Sequence, residues 1–77
     1  MKIHVYAGLK DYFTPEFELP GEVRNTDELK SRLLAINGRA EAILSFCRFA
    51  VEEGFIDNEF QLKENDTVII IPPGSGG

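Results

Sequence analysis

The hydrophobic and polar positions follow two periodicities, alternation and helical spacing, which predict strands in most of the chain and one helix between them. Residues 2–7 alternate, as a half-buried strand does, with Ile3 and Val5 on one side and His4 and Tyr6 on the other. Gly8 is expected to end this strand and residues 9–13 to form a helical turn. A second alternating stretch, residues 16–19, stops at the turn signal Pro20-Gly21.

An amphipathic helix is predicted from Leu29, Leu33 and Ile36, which recur at the i, i+4 and i+7 spacing. Asn25 or Thr26 offers an N-cap, and acidic residues follow in the first turn, where the helix dipole favours them. Asn37-Gly38 offers a C-cap in which the glycine adopts a left-handed conformation. Residues 39–45 fit either a short second helix or an irregular connection.

Strands return in the second half of the chain. Residues 46–52 alternate, with Cys47, Phe49 and Val51 on one face, and shorter segments follow at 55–56 and 60–62. A polar turn, in which Asn65 is expected to adopt a positive φ, leads to the last strand, residues 67–71. Val68-Ile69-Ile70-Ile71 is apolar on both faces, which predicts a central or parallel strand, or one whose outer face meets a partner.

This order of elements predicts an α+β fold, with a mixed four- or five-stranded sheet and one main helix packed on one face. The other face is left open. Tyr6, His4 or an isoleucine on that open face would form a candidate docking patch.

Composition narrows the class of protein. The 77 residues suit one small domain with little room for an enclosed active site, which argues against an independent enzyme. The net charge of −5 argues against binding nucleic acid or an anionic membrane surface. The single cysteine excludes an intrachain disulfide, and the absence of a signal-peptide or membrane-spanning apolar run favours a cytoplasmic protein.

The negative charge is concentrated in residues 52–66, where six acidic residues face one lysine and the local balance is 1 − 6 = −5. Such a segment is expected either to be a solvated loop and edge strand or to steer the protein toward a basic partner surface.

Candidate chemistry lies mainly at the C-terminus. His4 has no nucleophile or acid at an informative spacing, Cys47 has the pattern of a core residue, and no metal-ligand spacing is found. Pro72-Pro73 must leave the sheet because proline cannot continue its hydrogen bonds. We therefore predict a domain over residues 1–73 and a flexible Gly-rich tail over residues 74–77, with a reach of roughly 13 Å when extended.

Such a tail would thread a narrow channel and deliver its terminal carboxylate, which needs activation before it can act as an acyl donor. The alternative is a frayed terminus without a role.

The chain resembles the MoaD/ThiS family of ubiquitin-like sulfur carriers, and within it the branch of molybdopterin synthase small subunits. The resemblance spans nearly the whole sequence, from the opening strand and turn (residues 3–10) through the helix start (27–30) and third strand (49–51) to residues 62–68. Its most specific element is the ending Pro72-Pro73-Gly74-Ser75-Gly76-Gly77. Gly74 departs from the Val or similar residue common in the family, and Glu52 from a common Asn.

The resemblance implies a β-grasp fold and a carrier cycle without catalytic side chains, bound cofactors or metals in this chain. An E1-like adenylyltransferase would use ATP to adenylate Gly77, and a sulfur-donor enzyme would supply the sulfur of a thiocarboxylate. Gly74, Ser75 and Gly76 would thread the active site of the large, catalytic subunit of molybdopterin synthase, after leaving the domain at Pro72 and Pro73. There the sulfur would pass to cyclic pyranopterin monophosphate.

Two other functions remain open at this point. The first is a carrier with another client, such as thiamine, another sulfur-containing cofactor or a protein conjugated through an isopeptide bond. The second is a β-grasp interaction module whose tail is never activated.

Overall fold

A computed structural model describes residues 1–74 of the chain. The strands are β1 (Lys2–Val5), β2 (Glu16–Glu18), β3 (Arg48–Val51), β4 (Gly54–Ile56) and β5 (Thr67–Ile71). The helices are α1 (Thr26–Ile36) and the single turn α2 (Glu41–Leu44), and the short 3₁₀ turns are Ala7–Asp11 and Gly38–Ala40.

The strands of this part of the chain form one mixed sheet in the order β2-β1-β5-β3-β4. The β1 and β5 strands pair in parallel, and every other neighbouring pair is antiparallel. The apolar run 68–71 therefore lies at the centre of the sheet, paired on both sides. The predicted α+β fold of the β-grasp type is confirmed, with α1 as the main helix on one face.

Local hydrogen bonds at its N-terminus determine where α1 begins. Asn25 is the N-cap, and its Oδ1 accepts from the backbone N–H of Glu28 at 2.9 Å. The distant Asn58 adds a second acceptor, its Oδ1 lying 2.9 Å from the backbone N of Asp27. Two of the four N–H groups that a helix start leaves unpaired are satisfied in this way.

The end of α1 differs from the prediction. Gly38 does not adopt the left-handed conformation expected of a C-cap glycine, because Asn37 ends the helix in an extended conformation (φ −148°). The Asn37 side chain holds the connection instead. Its Oδ1 accepts from Arg39 N at 3.1 Å, and its Nδ2 donates to Tyr12 O at 3.1 Å. Residues 38–44 are helical turns, the first of the two possibilities left open.

Several turn predictions were also wrong. Within residues 1–74, Ala7 is the one non-glycine residue with a positive φ (51°), so Asn65 does not have the predicted conformation. β1 ends at Val5, and the positive φ that redirects the chain lies at Ala7, one residue before the expected break at Gly8. Residues 60–62 form no strand, although Leu62 is tied to the body by a backbone hydrogen bond to Arg24 O at 2.8 Å.

The core lies between α1 and the inner face of the sheet. Leu29 and Leu33 of α1 are fully buried against Ile3, Val68 and Ile70 of the two central strands. Ile36, predicted to share their stripe, is 55% exposed at the last position of the helix. The helix is therefore held by its first two and a half turns.

Replacing Leu33 with alanine is expected to destabilise the protein by about 2–5 kcal/mol, because it leaves a cavity at a fully buried position. Ile36→Ala is the matched control on the same helix, and its effect should stay below about 1 kcal/mol because the side chain is mainly solvated. Urea denaturation of both variants measures the difference. Equal losses would show that the α1–sheet contact is not the main source of stability.

Candidate functional site

The tail leaves the domain from the end of the central strand. Pro72 follows β5 directly and is buried, whereas Pro73 and Gly74 are exposed and adopt a turn. Gly74 has φ +73°, a value that a β-carbon would strain. A proline followed by a glycine with this φ is typical of the two central positions of a type II turn. The exit at Pro72 and Pro73 therefore does not continue straight from β5, because the chain turns at Gly74.

Ser75, Gly76 and Gly77 lie outside the described residues. Their roles, the domain boundary after residue 73 and the flexibility of residues 74–77 stay predictions.

The sheet face opposite α1 is uncovered by any helix within the described chain, as predicted. We call this the open face, formed by the outward side chains of His4, Tyr6, Arg48, Ala50, Phe55, Ile69 and Ile71.

Strand register aligns one row of the open face across the whole sheet. Ile69 pairs with His4 on one side and with Ala50 on the other, and Ala50 pairs with Phe55. Phe55 is 56% exposed, and Ile69 is half-buried. The centre of the open face is thus apolar and connects, through Ile71, with the tail exit.

Two further aromatic side chains stand near the end of the sheet from which the tail leaves. Tyr6 follows β1 in an extended conformation and is 46% exposed. Phe46 precedes β3 by two residues and is 70% exposed. Exposed aromatic residues beside an apolar sheet face are typical of protein-binding surfaces.

Arg48 is the cation of this sheet face that lies toward the tail exit. Lys2 shares the face but lies at the opposite end of β1, where its Nζ is 3.9 Å from Glu16 Oε1. Arg48 starts β3 beside Ile71 of β5. Its guanidinium carbon lies 3.6 Å from the centroid of the Phe55 ring, a cation–π contact between neighbouring strands.

The β2 edge of the sheet adds polar side chains beside the open face. His4 Nε2 lies 3.0 Å from Glu16 Oε2, and Lys2 Nζ lies 3.9 Å from Glu16 Oε1. His4 is therefore a surface residue of the sheet that contacts a carboxylate, consistent with the lack of catalytic spacing around it in the sequence.

Three residues of the acidic segment 52–66 lie away from the tail exit. Glu52, Glu53 and Asp66 line one recess at the start of β5, whereas the tail leaves from its end. Two carboxylates of the segment support local turns, since Asp57 Oδ1 accepts from Glu59 N (2.9 Å) and Asp66 Oδ2 from Lys63 N (2.8 Å). The structural interpretation holds for these two, and steering by the segment as a whole stays a prediction.

A separate groove of about 480 Å³ lies between the α1 N-terminus and residues 58–62. Two of its charges are paired with each other, because Arg24 donates from its backbone N to Glu28 Oε1 (2.8 Å) and from its guanidinium to Oε2 (3.2 Å). The backbone hydrogen bond and this ion pair lower the pKa of Glu28 below its ordinary value. The groove shares no residue with the open face or the tail exit.

Cys47 is half-buried against the core, and its Sγ lies 3.1 Å from Ile43 O. Burial raises the pKa of its thiol to about 11, with Lys30 opposing the shift. This is the environment of a packing residue, as predicted from its alternation with Phe49 and Val51. In the part of the chain that the structure describes, no cluster of three His, Cys, Asp or Glu side chains could hold a metal ion.

Comparison with known proteins assigns this arrangement to a class. The profile of the ThiS family matches residues 4–77. The chain is also 33% identical over 63 residues to a molybdopterin synthase sulfur carrier subunit of Chlamydomonas reinhardtii, covering 79% of this chain and 75% of that relative. Together with the β-grasp sheet, these matches define a ubiquitin-like sulfur carrier. The chain belongs to the ThiS family, which the sequence resemblance predicted.

No helix of residues 1–74 has the length and apolar character needed to cross a bilayer. The cytoplasmic location stays a prediction.

The sequence pattern did not reveal the contact between Arg48 and Phe55. Alternation places the side chains of Arg48 and Phe49 on opposite faces of β3. Only the register between β3 and β4 shows that Arg48 lies over the Phe55 ring. One signal for this contact was present in the sequence. Arg48 is the charged residue of an otherwise apolar strand, and Phe55 follows it by seven residues, at a position where alternation places the side chain on the solvent side.

Cys47 is expected to react with iodoacetamide about 100-fold more slowly than an ordinary thiol at about pH 8. The reason is that its pKa is about 11 in place of 9.0, and the thiolate fraction at a fixed pH falls about tenfold for each unit by which the pKa rises. Intact mass followed over time measures the rate. The same protein in concentrated guanidinium chloride is the control and should regain ordinary reactivity. A fast rate in the folded protein would contradict the packing role.

Proposed function

We propose that this protein is the sulfur carrier subunit of a molybdopterin synthase. Membership of the ThiS family supports the carrier chemistry. The observation that carries the choice of client is the likeness to a molybdopterin synthase sulfur carrier subunit over most of both chains. The Pro72-Pro73 exit, which directs the Gly-rich tail out of the centre of the sheet, supports the same choice.

In the proposed cycle the chemistry takes place at Gly77. An E1-like adenylyltransferase joins the Gly77 carboxylate to the AMP portion of ATP and releases pyrophosphate. Sulfur from a sulfur-donor enzyme, brought to the sulfide level by a thiol reductant, then attacks the carbonyl carbon, expels AMP and forms a thiocarboxylate. ATP belongs to the activating enzyme, and this chain binds no cofactor of its own.

The body of the protein supplies binding and the tail supplies reach. The open face offers an apolar surface adjoining the tail exit, so a partner that covers it receives the tail at a fixed position. Gly74, Ser75 and Gly76 have almost no side-chain width and would pass a narrow channel into the large subunit. There the thiocarboxylate would donate sulfur to cyclic pyranopterin monophosphate.

Intact mass tests the carrier chemistry. Incubation with the cognate activating enzyme, ATP and a sulfur source should add the mass difference between one sulfur and one oxygen atom, because a terminal hydroxyl oxygen is exchanged for sulfur. A variant lacking Gly77 is the control; it should fold normally and gain no mass.

A wild-type mass that never changes would defeat the carrier proposal and leave an interaction module. Binding assays with the large subunit of a molybdopterin synthase and with a thiamine-pathway acceptor then identify the client. Binding only to the latter would defeat the molybdopterin assignment.

A further inference from the structure

We propose that Arg48 is a recognition residue of the open face, and that the large subunit covering this face presents an Asp or Glu carboxylate to its guanidinium. The inference rests on the proposed function and adds the chemistry of the partner surface. It is carried by the position of a cation within an apolar surface, by its stacking on Phe55 and by its lack of an internal counter-charge.

The first step concerns where the charge lies. Arg48 pairs with Ile71, the last residue of β5 before the tail exit. Ala50 and Ile69 form the next pair along the same two strands. A partner that covers these apolar positions to receive the tail must also cover the Arg48 guanidinium.

The second step concerns counter-charge within the molecule. Among residues 1–74, Arg48 forms no salt bridge. Asp57 immediately follows β4, but its Oδ1 accepts from the backbone of Glu59 at 2.9 Å. The Arg48 charge is thus solvated in the free protein.

The third step is energetic. Removing water from a guanidinium without giving it a new partner is strongly unfavourable, and this desolvation would oppose any complex that buries the open face. A carboxylate is the group that best replaces that water, because it accepts two parallel N–H···O bonds from the guanidinium edge. The Phe55 ring covers one side of the guanidinium, whose carbon lies 3.6 Å from the ring centroid, and the exposed remainder of the group is available to a carboxylate.

The stacked geometry also explains why arginine fits this position. The Phe55 ring restricts the orientation of the side chain before binding, so less conformational entropy is lost when the complex forms. Lysine would retain the charge but not the planar fork.

The test measures the dissociation constant for the large subunit of the molybdopterin synthase of the same organism. Arg48→Met, which removes the charge but keeps an apolar stem, should weaken binding about 30-fold or more, because it leaves the partner carboxylate buried without a partner. Arg48→Lys should fall between Arg48→Met and the wild type.

Arg39→Glu is the control. Arg39 is exposed on the 3₁₀ turn that packs beside α1. The Arg39→Glu substitution therefore reverses a charge at a position away from the open face. Its dissociation constant should stay within about threefold of the wild type. Urea midpoints close to that of the wild type show that the variants are folded.

The outcomes separate the inference from the proposed function. If the wild type binds and the Arg48→Met variant binds equally tightly or more tightly, the inference alone is overturned. Failure of the wild type to bind overturns the proposed client and the inference together. A wild-type homodimer in sedimentation that Arg48→Glu disrupts would place the carboxylate on a second copy and overturn the choice of partner.

Discussion

The position of β5 between β1 and β3 is the constraint on which the rest of the structure depends. A strand with neighbours on both sides must be apolar on both faces if one face meets a helix and the other adjoins a binding surface. The Val68–Ile71 run satisfies this requirement: Val68 and Ile70 are fully buried beneath α1, while Ile69 and Ile71 remain half-buried on the other side. One strand therefore links the core, the open face and the tail.

Charge is distributed unevenly with respect to this strand. Acidic turns lie at its beginning, around Asp66, whereas aromatic side chains and Arg48 lie toward its end. The tail end is thus suited to contacts that exclude water, and the opposite end to solvation. This division lets a small domain present an apolar surface at one end, while its net charge of −5 favours solubility.

The sequence predicted what depends on local pattern. Alternation located the strands, the i, i+4 spacing located α1, and Asn25 was correctly proposed as its cap. The run Val68–Ile71, which is apolar on both faces of the strand, correctly indicated a central strand. Features that depend on tertiary geometry were missed: Gly38 and Asn65 have no unusual φ because hydrogen bonds elsewhere, such as those of the Asn37 side chain, direct the turns. The open-face row also required a register that periodicity does not supply.

The parallel and antiparallel ladders that hold β5 have a mechanical consequence. A pull on the tail acts along the strand, so hydrogen bonds to β1 and β3 are loaded in shear and must yield together instead of one at a time. A strand at the sheet edge, attached on one side only, would peel more readily. The proposed cycle inserts the tail into a partner and withdraws it again. Because β5 is paired on both sides, the domain can transmit that force without unfolding from the C-terminal end of the strand.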